Sequence, residues 1–422
     1  MTTRARIVVL GGGFAGLESA FLVRAKLGDR ADLTLVSDRD EFLFKPNTIY
    51  IPFGGSEEPL LIPLAKATGK RGIRFVKGDF ESLDKERRLV RAGGEELPYD
   101  YLVLATGAGM RPDEVPGLEE HAETIWTAAE MASLGAKLRA LVESSADGRS
   151  RTILFLVPPN NKCAGPLYEI VFMVETWLRE QQARDRFELV WTTYEPSYIA
   201  AFGPKLHTVV TDEFAERGIE GHTDWPVETV AAKTVHYENG QRRDYDLLVS
   251  FPPYVAAVDY APFGLPTDDR GFLACDPGSR RVLGGEHIYA PGDAGDFPVK
   301  QAFLAFLQAD AAAEDIAARV EEREPEFAFD PVSMCVMEQF DKATFAQVPL
   351  RVTGDPERPV EVRPGADGAY RVGVSPLWRV GKKMLGLYLP LRFKRGRPFH
   401  AGAAWKAMEV GLKGMSAVLA RK

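Results

Sequence analysis

The chain has 422 residues, of which 45% are hydrophobic and 27% charged, the composition of a soluble globular protein with two or three domains. Its formal net charge of -8 argues against non-specific nucleic-acid binding, so no nucleic-acid partner is expected. No apolar run is long enough to span a bilayer, and residues 1–13 lack the basic and apolar regions of an export signal. These features predict a cytoplasmic protein.

The N-terminal residues predict a dinucleotide-binding unit. Residues 6–10 have the pattern of a buried parallel strand, and a helical pattern and a second strand at residues 32–36 follow. Between the strand and the helix stands GGGFAG, whose GxGxxG spacing permits a tight turn, close approach of a pyrophosphate and close helix packing. The candidate cofactor-binding residues here are Gly11, Gly13, Phe14, Ala15 and Gly16.

The end of the second predicted strand carries a candidate for binding the adenosine ribose. Such strands typically end in an acidic residue that accepts hydrogen bonds from the ribose hydroxyls. Here Ser37 holds the expected position and Asp38 follows it. Asp38 is either the ribose ligand or a solvated loop carboxylate, and the sequence leaves both open.

Two later strands end in short motifs that complete this pattern. Residues 101–107 read YLVLATG and residues 288–294 read IYAPGDA. In this order after the glycine fingerprint, the motifs resemble those of flavoproteins with two dinucleotide-binding domains. The resemblance implies FAD as the cofactor, with an aspartate bound to the ribityl chain. The candidate cofactor-binding residues are Ala105, Thr106, Gly107, Gly292 and Asp293.

A second α/β unit, residues 114–287, contains the turn that bears on the electron donor. A strand leads into PPNNKCAG and then into a helix, with later strands expected at residues 188–193 and 245–250. Pyridine-nucleotide reductases hold NAD(P)H at this turn with glycines, but here two prolines lack N–H donors and no glycine precedes Gly165. The sequence therefore predicts no nicotinamide site. Cys163 lies at the carboxyl edge of the sheet, where the helix N-terminus is expected to lower its pKa.

The three cysteines, Cys163, Cys275 and Cys335, are odd in number and far apart. This spacing excludes a disulfide-stapled scaffold and a CxxC metal site, so no metal is expected. There is also no CxxCH motif, which excludes covalently attached haem in this chain.

The C-terminal residues leave the Rossmann pattern and end in a basic and apolar tail. A helix is expected over residues 308–322, then a strand at 334–338 and hairpin-like turns near residues 354 and 366. From Arg371 to Met408 there is no acidic residue, and basic side chains are interleaved with aliphatic and aromatic ones. Such a segment suits the surface of an anionic membrane. The alternative is a core-packed helix pair with a solvated basic face.

These segments together resemble the sulfide:quinone oxidoreductases and the flavoprotein subunits of flavocytochrome c sulfide dehydrogenase, within the FAD-dependent pyridine nucleotide-disulfide oxidoreductase superfamily. The most specific features are CAGPLYE and a second cysteine in MCVMEQFDKATFAQVP. The resemblance implies an α/β fold with two Rossmann-like domains and a C-terminal α+β region for membrane association and quinone. The expected domains are FAD-binding residues 1–113 and 288–320, a degenerate NAD-type domain at 114–287, and residues 321–422.

The resemblance also implies an activity: FAD-dependent oxidation of sulfide, or a related sulfur donor, to sulfane sulfur or polysulfide, with electrons passing to a membrane quinone. Cys163 and Cys335 match the redox cysteine pair, and Cys335 is favoured as the partner of the flavin. Glu169 matches a carboxylate that handles protons; the alternative is that it charges the first turn of its helix. Lys300 matches a lysine after the GD motif, which binds FAD and stabilises reduced flavin.

Some positions depart from that family or stay open. Many quinone-linked members carry a third cysteine where Trp126 stands here, and Cys275 is expected to be a small strand-end residue rather than its replacement. The candidates for a quinone pocket, with core packing as the alternative, are Phe42, Phe44, Pro46, Tyr388 and Phe393.

Two other functions fit the same fold. A type II NAD(P)H:quinone dehydrogenase needs the nicotinamide cradle, and a non-enzymatic, redox-sensing flavoprotein does not need the cysteine pair. The expected location is peripheral, on the cytoplasmic side of the membrane, and a homo-oligomeric state is left open.

Overall fold

Two five-stranded parallel sheets organise the molecule, as a computed structural model shows for residues 4–356 and 358–420. The predicted α/β fold class with two Rossmann-like units is confirmed, since each sheet pairs all of its strands in parallel. A smaller antiparallel sheet and two helices form the C-terminal region.

The strands are short and run through most of the chain. They are β1 (Ala5–Leu10), β2 (Ala31–Ser37), β3 (Glu41–Leu43), β4 (Leu61–Pro63), β5 (Arg74–Lys77), β6 (Phe80–Asp84), β7 (Leu89–Ala92), β8 (Glu95–Pro98), β9 (Tyr101–Leu104), β10 (Ala108–Met110), β11 (Glu123–Thr124), β12 (Arg151–Val157), β13 (Phe187–Thr193), β14 (Ile219–His222), β15 (Val227–Ala231), β16 (Thr234–Tyr237), β17 (Arg242–Asp244), β18 (Leu247–Ser250), β19 (Tyr254–Ala256), β20 (Ile288–Tyr289), β21 (Val332–Glu338), β22 (Ala343–Val352), β23 (Val360–Val362) and β24 (Arg371–Ser375).

The helices cover the sheets and form the C-terminal tail. They are α1 (Phe14–Leu27), α2 (Leu64–Gly69), α3 (Leu118–His121), α4 (Ala128–Ser144), α5 (Gly165–Glu180), α6 (Gly203–Arg217), α7 (Ala302–Val320), α8 (Pro376–Lys394) and α9 (Ala403–Leu419).

The first parallel sheet has the order β20-β9-β1-β2-β5. The strands predicted at residues 6–10, 32–36 and 101–104 are therefore neighbours. Strand β20, which follows the second unit in the sequence, pairs with β9. One face of the sheet packs against α1 and α7, and the other packs against the small sheet β6-β7-β8. Burial on both faces explains why these strands are continuous apolar runs.

The second parallel sheet has the order β11-β18-β12-β13-β14. It confirms the strands predicted at residues 188–193 and 245–250, which are β13 and β18. The loop between β12 and α5 carries Cys163, so this cysteine stands at the carboxyl edge of the sheet as expected. Carboxyl edges of this kind are where open α/β sheets bind ligands.

Helix α7 begins six residues earlier than predicted, at Ala302 instead of residue 308. The added turns place Phe306 in the core beside α1 and Leu304 in the core that surrounds α5. Residues 302–307 are all apolar, so they show no alternation of apolar and polar faces that would indicate a helix. Tertiary packing fixes the helix start.

The C-terminal region is an antiparallel sheet covered by α8 and α9. The predicted strand at residues 334–338 is part of β21, and β22 pairs with β21, β23 and β24. Trp378 of α8 is fully buried and stacks on Phe345 of β22, with ring centroids 4.1 Å apart. Within the described residues, no helix is long and apolar enough to cross a membrane.

A buried polar cluster clamps the connection between α8 and α9 onto the first sheet's helices. Glu18 of α1 accepts hydrogen bonds from the backbone N–H groups of Phe399 (2.6 Å) and His400 (3.0 Å). The His400 Nδ1 lies 2.6 Å from a carboxylate oxygen of Asp310 in α7. Burial first, and then the charge of Asp310, raise the pKa of Glu18 to about 8. Burial lowers the pKa of His400, but the hydrogen bond and charge of Asp310 together raise it above its ordinary value.

These shifts predict that docking of the α8–α9 connection weakens as the pH rises. Both folded-state pKa values lie above the unfolded ones, so the stabilisation is complete at low pH and is lost as the pH rises through about 8. The other titratable groups facing the cluster are Tyr388 and Glu409. Amide exchange of Phe399 and His400, corrected for intrinsic rates, should show lower protection at pH 9 than at pH 6.

Glu18→Gln should flatten this pH dependence, because the amide does not ionise, while Glu57→Gln on the exposed surface should leave it unchanged. Equal protection at pH 6 and pH 9 in the native chain would show that the cluster does not control docking.

Candidate functional site

The glycine fingerprint forms a close turn with an open position at its centre. Gly11 has φ +108°, and a Cβ there would lie 2.1 Å from the Ala105 carbonyl oxygen. A Cβ on Gly16 would lie 1.8 Å from the Gly11 oxygen, whereas one on Gly13 would meet nothing within 4 Å. Gly11 and Gly16 are thus required by packing, and Gly13 leaves space above the N-terminus of α1. No side chain caps that terminus, so its N–H groups are available to a phosphate.

The motifs predicted to bind FAD meet at this edge of the first sheet. A Cβ on Gly292 would lie 2.8 Å from the Ala15 side chain, which brings the GDA motif against the glycine fingerprint. The Gly292 N–H donates to the Gln308 side chain at 3.1 Å. The Thr106 hydroxyl accepts from Tyr260 at 3.3 Å, and Gly107 follows it with φ +79°.

The two ribose candidates differ in exposure. Ser37 is buried, and its hydroxyl accepts the Arg39 N–H at 3.2 Å. The Asp38 side chain is 58% exposed and lies 3.5 Å from the Arg39 guanidinium. Asp38 is therefore accessible to a ribose at the end of β2, and its role as the ligand stays a prediction.

The charges of two lysines, the buried Lys300 and the half-buried Lys45, act on Asp293. Burial lowers the pKa of Lys300 to about 8 and that of Lys45 to about 7, although Asp293 opposes both shifts. Burial also raises the pKa of Asp293, against the two lysine charges. Lys300 donates to the Gly295 carbonyl and lies 3.7 Å from the centre of the Phe272 ring. The sequence reasoning missed Lys45; a cation inside the aromatic segment FLFKP was the available signal.

Trp126, which stands where the resembled family has a third cysteine, packs against Lys45. The Lys45 Nζ lies 2.9 Å from the centre of the Trp126 ring. The same ring lies 5.9 Å from those of Phe251 and Tyr254. The position therefore contributes to an aromatic wall instead of a thiol.

The segments that carry Cys163 and Cys335, 172 positions apart in sequence, are held by two adjacent residues. The Lys300 N–H donates to the Lys162 carbonyl at 3.2 Å, next to Cys163. The Gln301 side chain donates to the Met334 carbonyl at 3.3 Å, next to Cys335. The charge of a Cys163 thiolate contributes to the raised pKa of Cys335, as expected for neighbouring thiols. Both are free thiols in this structure, and Cys275 is a third, buried beside the Leu273 carbonyl.

The expectation of a lowered Cys163 pKa is wrong. Burial raises the pKa of Cys163 to about 12, outweighing the hydrogen bond from the Gly165 backbone at the start of α5. The negative charges of Asp293 and Glu195 add to that effect. Burial likewise raises the pKa of Cys335 to about 12. Desolvation of a thiolate exceeds the stabilisation from one helix terminus.

Glu169 faces the C-terminal helix α8. It is buried, accepts the Glu338 N–H at 2.7 Å and forms an ion pair with Lys382 of α8. Lys382 also donates to the Val336 carbonyl at 2.9 Å, and burial lowers its pKa to about 7. Glu169 therefore links α5 to β21 and α8. It does not cap the N-terminus of α5.

The second unit's turn is closed by a buried asparagine. The Asn161 side chain is 6% exposed and donates to the carbonyls of Phe251 (2.7 Å) and Pro252 (3.3 Å). The oxygen of the same side-chain amide accepts the Cys163 N–H at 2.9 Å. Asn161 thus fills the turn and orients Cys163, a role that the sequence alone did not show.

The aromatic candidates for a quinone pocket pack with one another. Phe42, Phe44 and Phe393 are buried, and Phe14 of the glycine fingerprint contacts Phe42 with centroids 4.7 Å apart. Phe42 and Phe393 are 6.2 Å apart. Tyr388 and Pro46 are half-buried at the edge of this cluster. Core packing is what these contacts show.

Comparison with known proteins places the N-terminal part of the chain. Residues 5–142 match the family model described as pyridine nucleotide-disulphide oxidoreductase. The match spans the glycine fingerprint and the ATG motif of this chain. FAD is its cofactor, and the open Gly13 position with the uncapped α1 terminus fits a dinucleotide phosphate.

Two relatives of this chain differ in activity. The sulfide-quinone reductase of Aquifex aeolicus is 29% identical over 59% of this chain and 57% of its own length. The type II NADH:quinone oxidoreductase NdhA of Mycobacterium tuberculosis is 25% identical over 69% of this chain and 66% of its own length. The alignments thus span less than two thirds of each relative.

A solved structure shares nearly the whole fold. The sulfide:quinone oxidoreductase from Aquifex aeolicus superposes with a TM-score of 0.85 at 22% identity, covering 97% of this chain and 96% of that one. The likeness includes the C-terminal region, which the family model does not reach.

The cradle geometry predicts separate effects for two glycine substitutions. Gly13→Ala should leave the apoprotein folded, because its Cβ meets no protein atom within 4 Å, yet weaken FAD binding by an order of magnitude or more if the pyrophosphate lies there. Titration of apoprotein with FAD, followed by flavin fluorescence, measures this. Gly69→Ala, also uncrowded but in α2, is the matched control. Unchanged FAD affinity in Gly13→Ala would place the phosphates elsewhere.

Proposed function

We propose that this protein oxidises sulfide, or a related small sulfur donor, and passes the electrons through FAD to a membrane quinone. The observation that supports the proposal is that the adjacent residues Lys300 and Gln301 hydrogen-bond to the residues next to Cys163 and Cys335, and that each cysteine's surroundings include the charge of a group at this edge. Two thiols at the cofactor edge of the sheets provide a two-electron donor. A redox-sensing flavoprotein without turnover does not need that pair.

The cysteine chemistry balances as a two-electron cycle. Oxidation of the two thiols to a disulfide releases two electrons and two protons, and FAD, when bound, accepts the electrons and passes them on. Hydrosulfide then attacks the disulfide, forming a bond to the Cys163 sulfur and breaking the Cys163–Cys335 bond. Cys335 leaves as a thiolate, and Cys163 holds a persulfide. Repetition lengthens the sulfane sulfur chain until it is released.

The charges around Asp293 suit a cofactor that gains negative charge. Lys300 is buried and has Asp293 as its largest opposing influence, so it can neutralise an added negative charge without a large reorganisation. Lys45 supplies a second cation whose charge acts on Asp293. Buried charges act strongly on one another because little water screens them.

NAD(P)H is the less favoured donor. Pro158 and Pro159 offer no N–H groups, and the buried Asn161 side chain is committed to Phe251 and Pro252. A dinucleotide pyrophosphate would find no glycine cradle in this turn and no backbone donor at Pro158 or Pro159. A type II dehydrogenase activity is therefore the second candidate, and reduction by NADH distinguishes it.

Helix α8 carries the surface that supports membrane association. Its exposed aliphatic side chains recur at intervals of three and four residues, so they share one face. Exposed basic residues, Lys383, Arg395 and Arg397, lie near that face. We propose that it lies on the anionic cytoplasmic surface of a membrane, where quinone is reached. The stripe comprises Leu377, Val380, Met384, Leu387 and Leu391.

The tail's other apolar residues do not belong to that surface. Trp378, Phe393 and Phe399 are buried in the molecule. For these three residues the alternative of core packing holds, and membrane contact stays a proposal for the exposed stripe of α8 alone.

The cysteine pair predicts loss of sulfide-driven flavin reduction in two single variants. In anaerobic mixing of FAD-loaded protein with sulfide, Cys163→Ser and Cys335→Ser should each slow bleaching of the flavin absorption band at least a hundredfold with FAD still bound, because the disulfide relay is broken. Cys275→Ser is the control, since Cys275 lies in a different core cluster from the pair.

NADH in place of sulfide should leave the flavin oxidised. Rapid bleaching by NADH but not by sulfide would replace the proposal by the dehydrogenase reading. Normal reduction by sulfide in either serine variant would make the pair structural.

The α8 stripe predicts a loss of vesicle binding on introducing negative charge. Leu387→Glu, at a side chain 76% exposed, should reduce binding to anionic liposomes roughly tenfold or more, because burial of one leucine contributes about 2 kcal/mol and the charge is repelled. Leu283→Glu, 52% exposed outside the tail, is the control. Co-sedimentation with liposomes measures the effect, and equal binding by Leu387→Glu would remove α8 as the contact face.

A further inference from the structure

A second carboxylate, besides Asp293, faces Cys163. The negative charges of Asp293 and Glu195 are the two that raise the pKa of this thiol. The charges of Lys300 and Lys45 act on Asp293 and favour its carboxylate form. Glu195 has no ion pair to a lysine or arginine among the described residues, and no cationic side chain contributes to its pKa shift, so its carboxylate is available as a base.

The fold places Glu195 next to the Cys163 loop through adjacent strand ends. Thr193, the last residue of β13, is in register with Val157, the last residue of β12. The next residue, Tyr194, donates its hydroxyl to the Asn161 carbonyl at 3.3 Å. Because Asn161 also holds the Cys163 N–H, the segment carrying Glu195 and the cysteine loop are joined directly.

The side chain of Glu195 is held in place and partly open to solvent. Its carboxylate accepts the Ala200 N–H at 3.0 Å and the Thr193 hydroxyl at 3.2 Å. The residue is half-buried, which leaves a route for a proton to water. The other titratable groups that feel its charge are Tyr168 and Tyr194.

We propose that Glu195 accepts the proton of the sulfur species bound at Cys163. The inference rests on the proposed sulfide oxidation. After hydrosulfide has attacked the disulfide, Cys163 holds S–SH and Cys335 is a thiolate. The S–H bond breaks, its electron pair stays on the terminal sulfur as a persulfide anion, and the proton goes to a Glu195 oxygen. Net charge and atoms are conserved in that step.

A deprotonated persulfide is the species that can re-form a sulfur bridge. It and the Cys335 thiolate together give a trisulfide and two electrons, which is the amount that FAD accepts. Burial raises the pKa of Glu195 to about 7, against its two hydrogen bonds, so it can take and release a proton near neutrality. Glu169 is less suited, because Lys382 and the Glu338 N–H occupy its oxygen.

Glu195→Gln separates this role from a structural one, because two measurements should move in opposite directions. Removing the negative charge should lower the Cys163 pKa, so alkylation of Cys163 by iodoacetamide in the reduced protein should become several-fold faster at pH 8. Sulfide-driven reduction of bound FAD should become about a hundredfold slower, because a proton acceptor is lost. Mass spectrometry assigns the alkylated cysteine, and Cys163→Ser confirms the assignment.

Glu195→Asp should recover part of the reduction rate, and Glu169→Gln should leave Cys163 alkylation unchanged. Unchanged Cys163 alkylation in Glu195→Gln, or sulfide-driven reduction at the native rate, would overturn the assignment. Failure of the native protein to be reduced by sulfide would instead sink the proposed function, while the alkylation arm would still report whether Glu195 faces Cys163.

Discussion

The positions of Cys163 and Cys335 depend on one joint between their segments, the dipeptide Lys300–Gln301. The Lys300 N–H donates to the loop residue before Cys163, and the Gln301 side chain donates to the strand residue before Cys335. Ser333 adds a hydrogen bond to the Gln301 side chain at 2.9 Å, which fixes that side chain's orientation. Lys300 itself turns inward toward Gly295 and Phe272. A short segment after the GD motif therefore joins the FAD edge, the second unit and the C-terminal sheet.

Burial dominates the electrostatics around this joint. Lys300 and Lys45 have lowered pKa values, whereas Asp293, Cys163 and Cys335 have raised ones, and in each case desolvation is the largest cause. All five shifts favour the uncharged form. A charge created here is consequently costly unless an opposite charge is formed with it, which couples proton movement to electron movement.

Local pattern was enough to find the strands and the glycine fingerprint, because branched apolar runs and glycine spacing are properties of neighbouring residues. The edge placement of Cys163 followed from strand-to-helix order alone. Its pairing with Cys335 came from family resemblance, since nothing in a span of 172 residues records which side chains meet. Glu195 was missed for the same reason, and the direction of the Cys163 pKa was wrong because burial is set by the whole fold.

The tail shows the same division between local and long-range information. The stripe from Leu377 to Leu391 is visible in the sequence as a spacing of three and four, but only the structure separates it from the buried Trp378 and Phe393. The hydrogen bond from the His400 N–H to Glu18 joins residues 382 positions apart, and no local pattern predicts it.

The ion pair between Glu169 and Lys382 gives the tail a second meaning. Lys382 lies on the inner face of the same helix that presents the exposed stripe, and Glu169 lies on the helix that follows the Cys163 loop. Deleting the tail would therefore leave two buried carboxylates, Glu169 and Glu18, without the cation and the N–H groups that now hold them. Helix α8, the proposed membrane contact, is thus joined by one ion pair to the helix that follows the Cys163 loop.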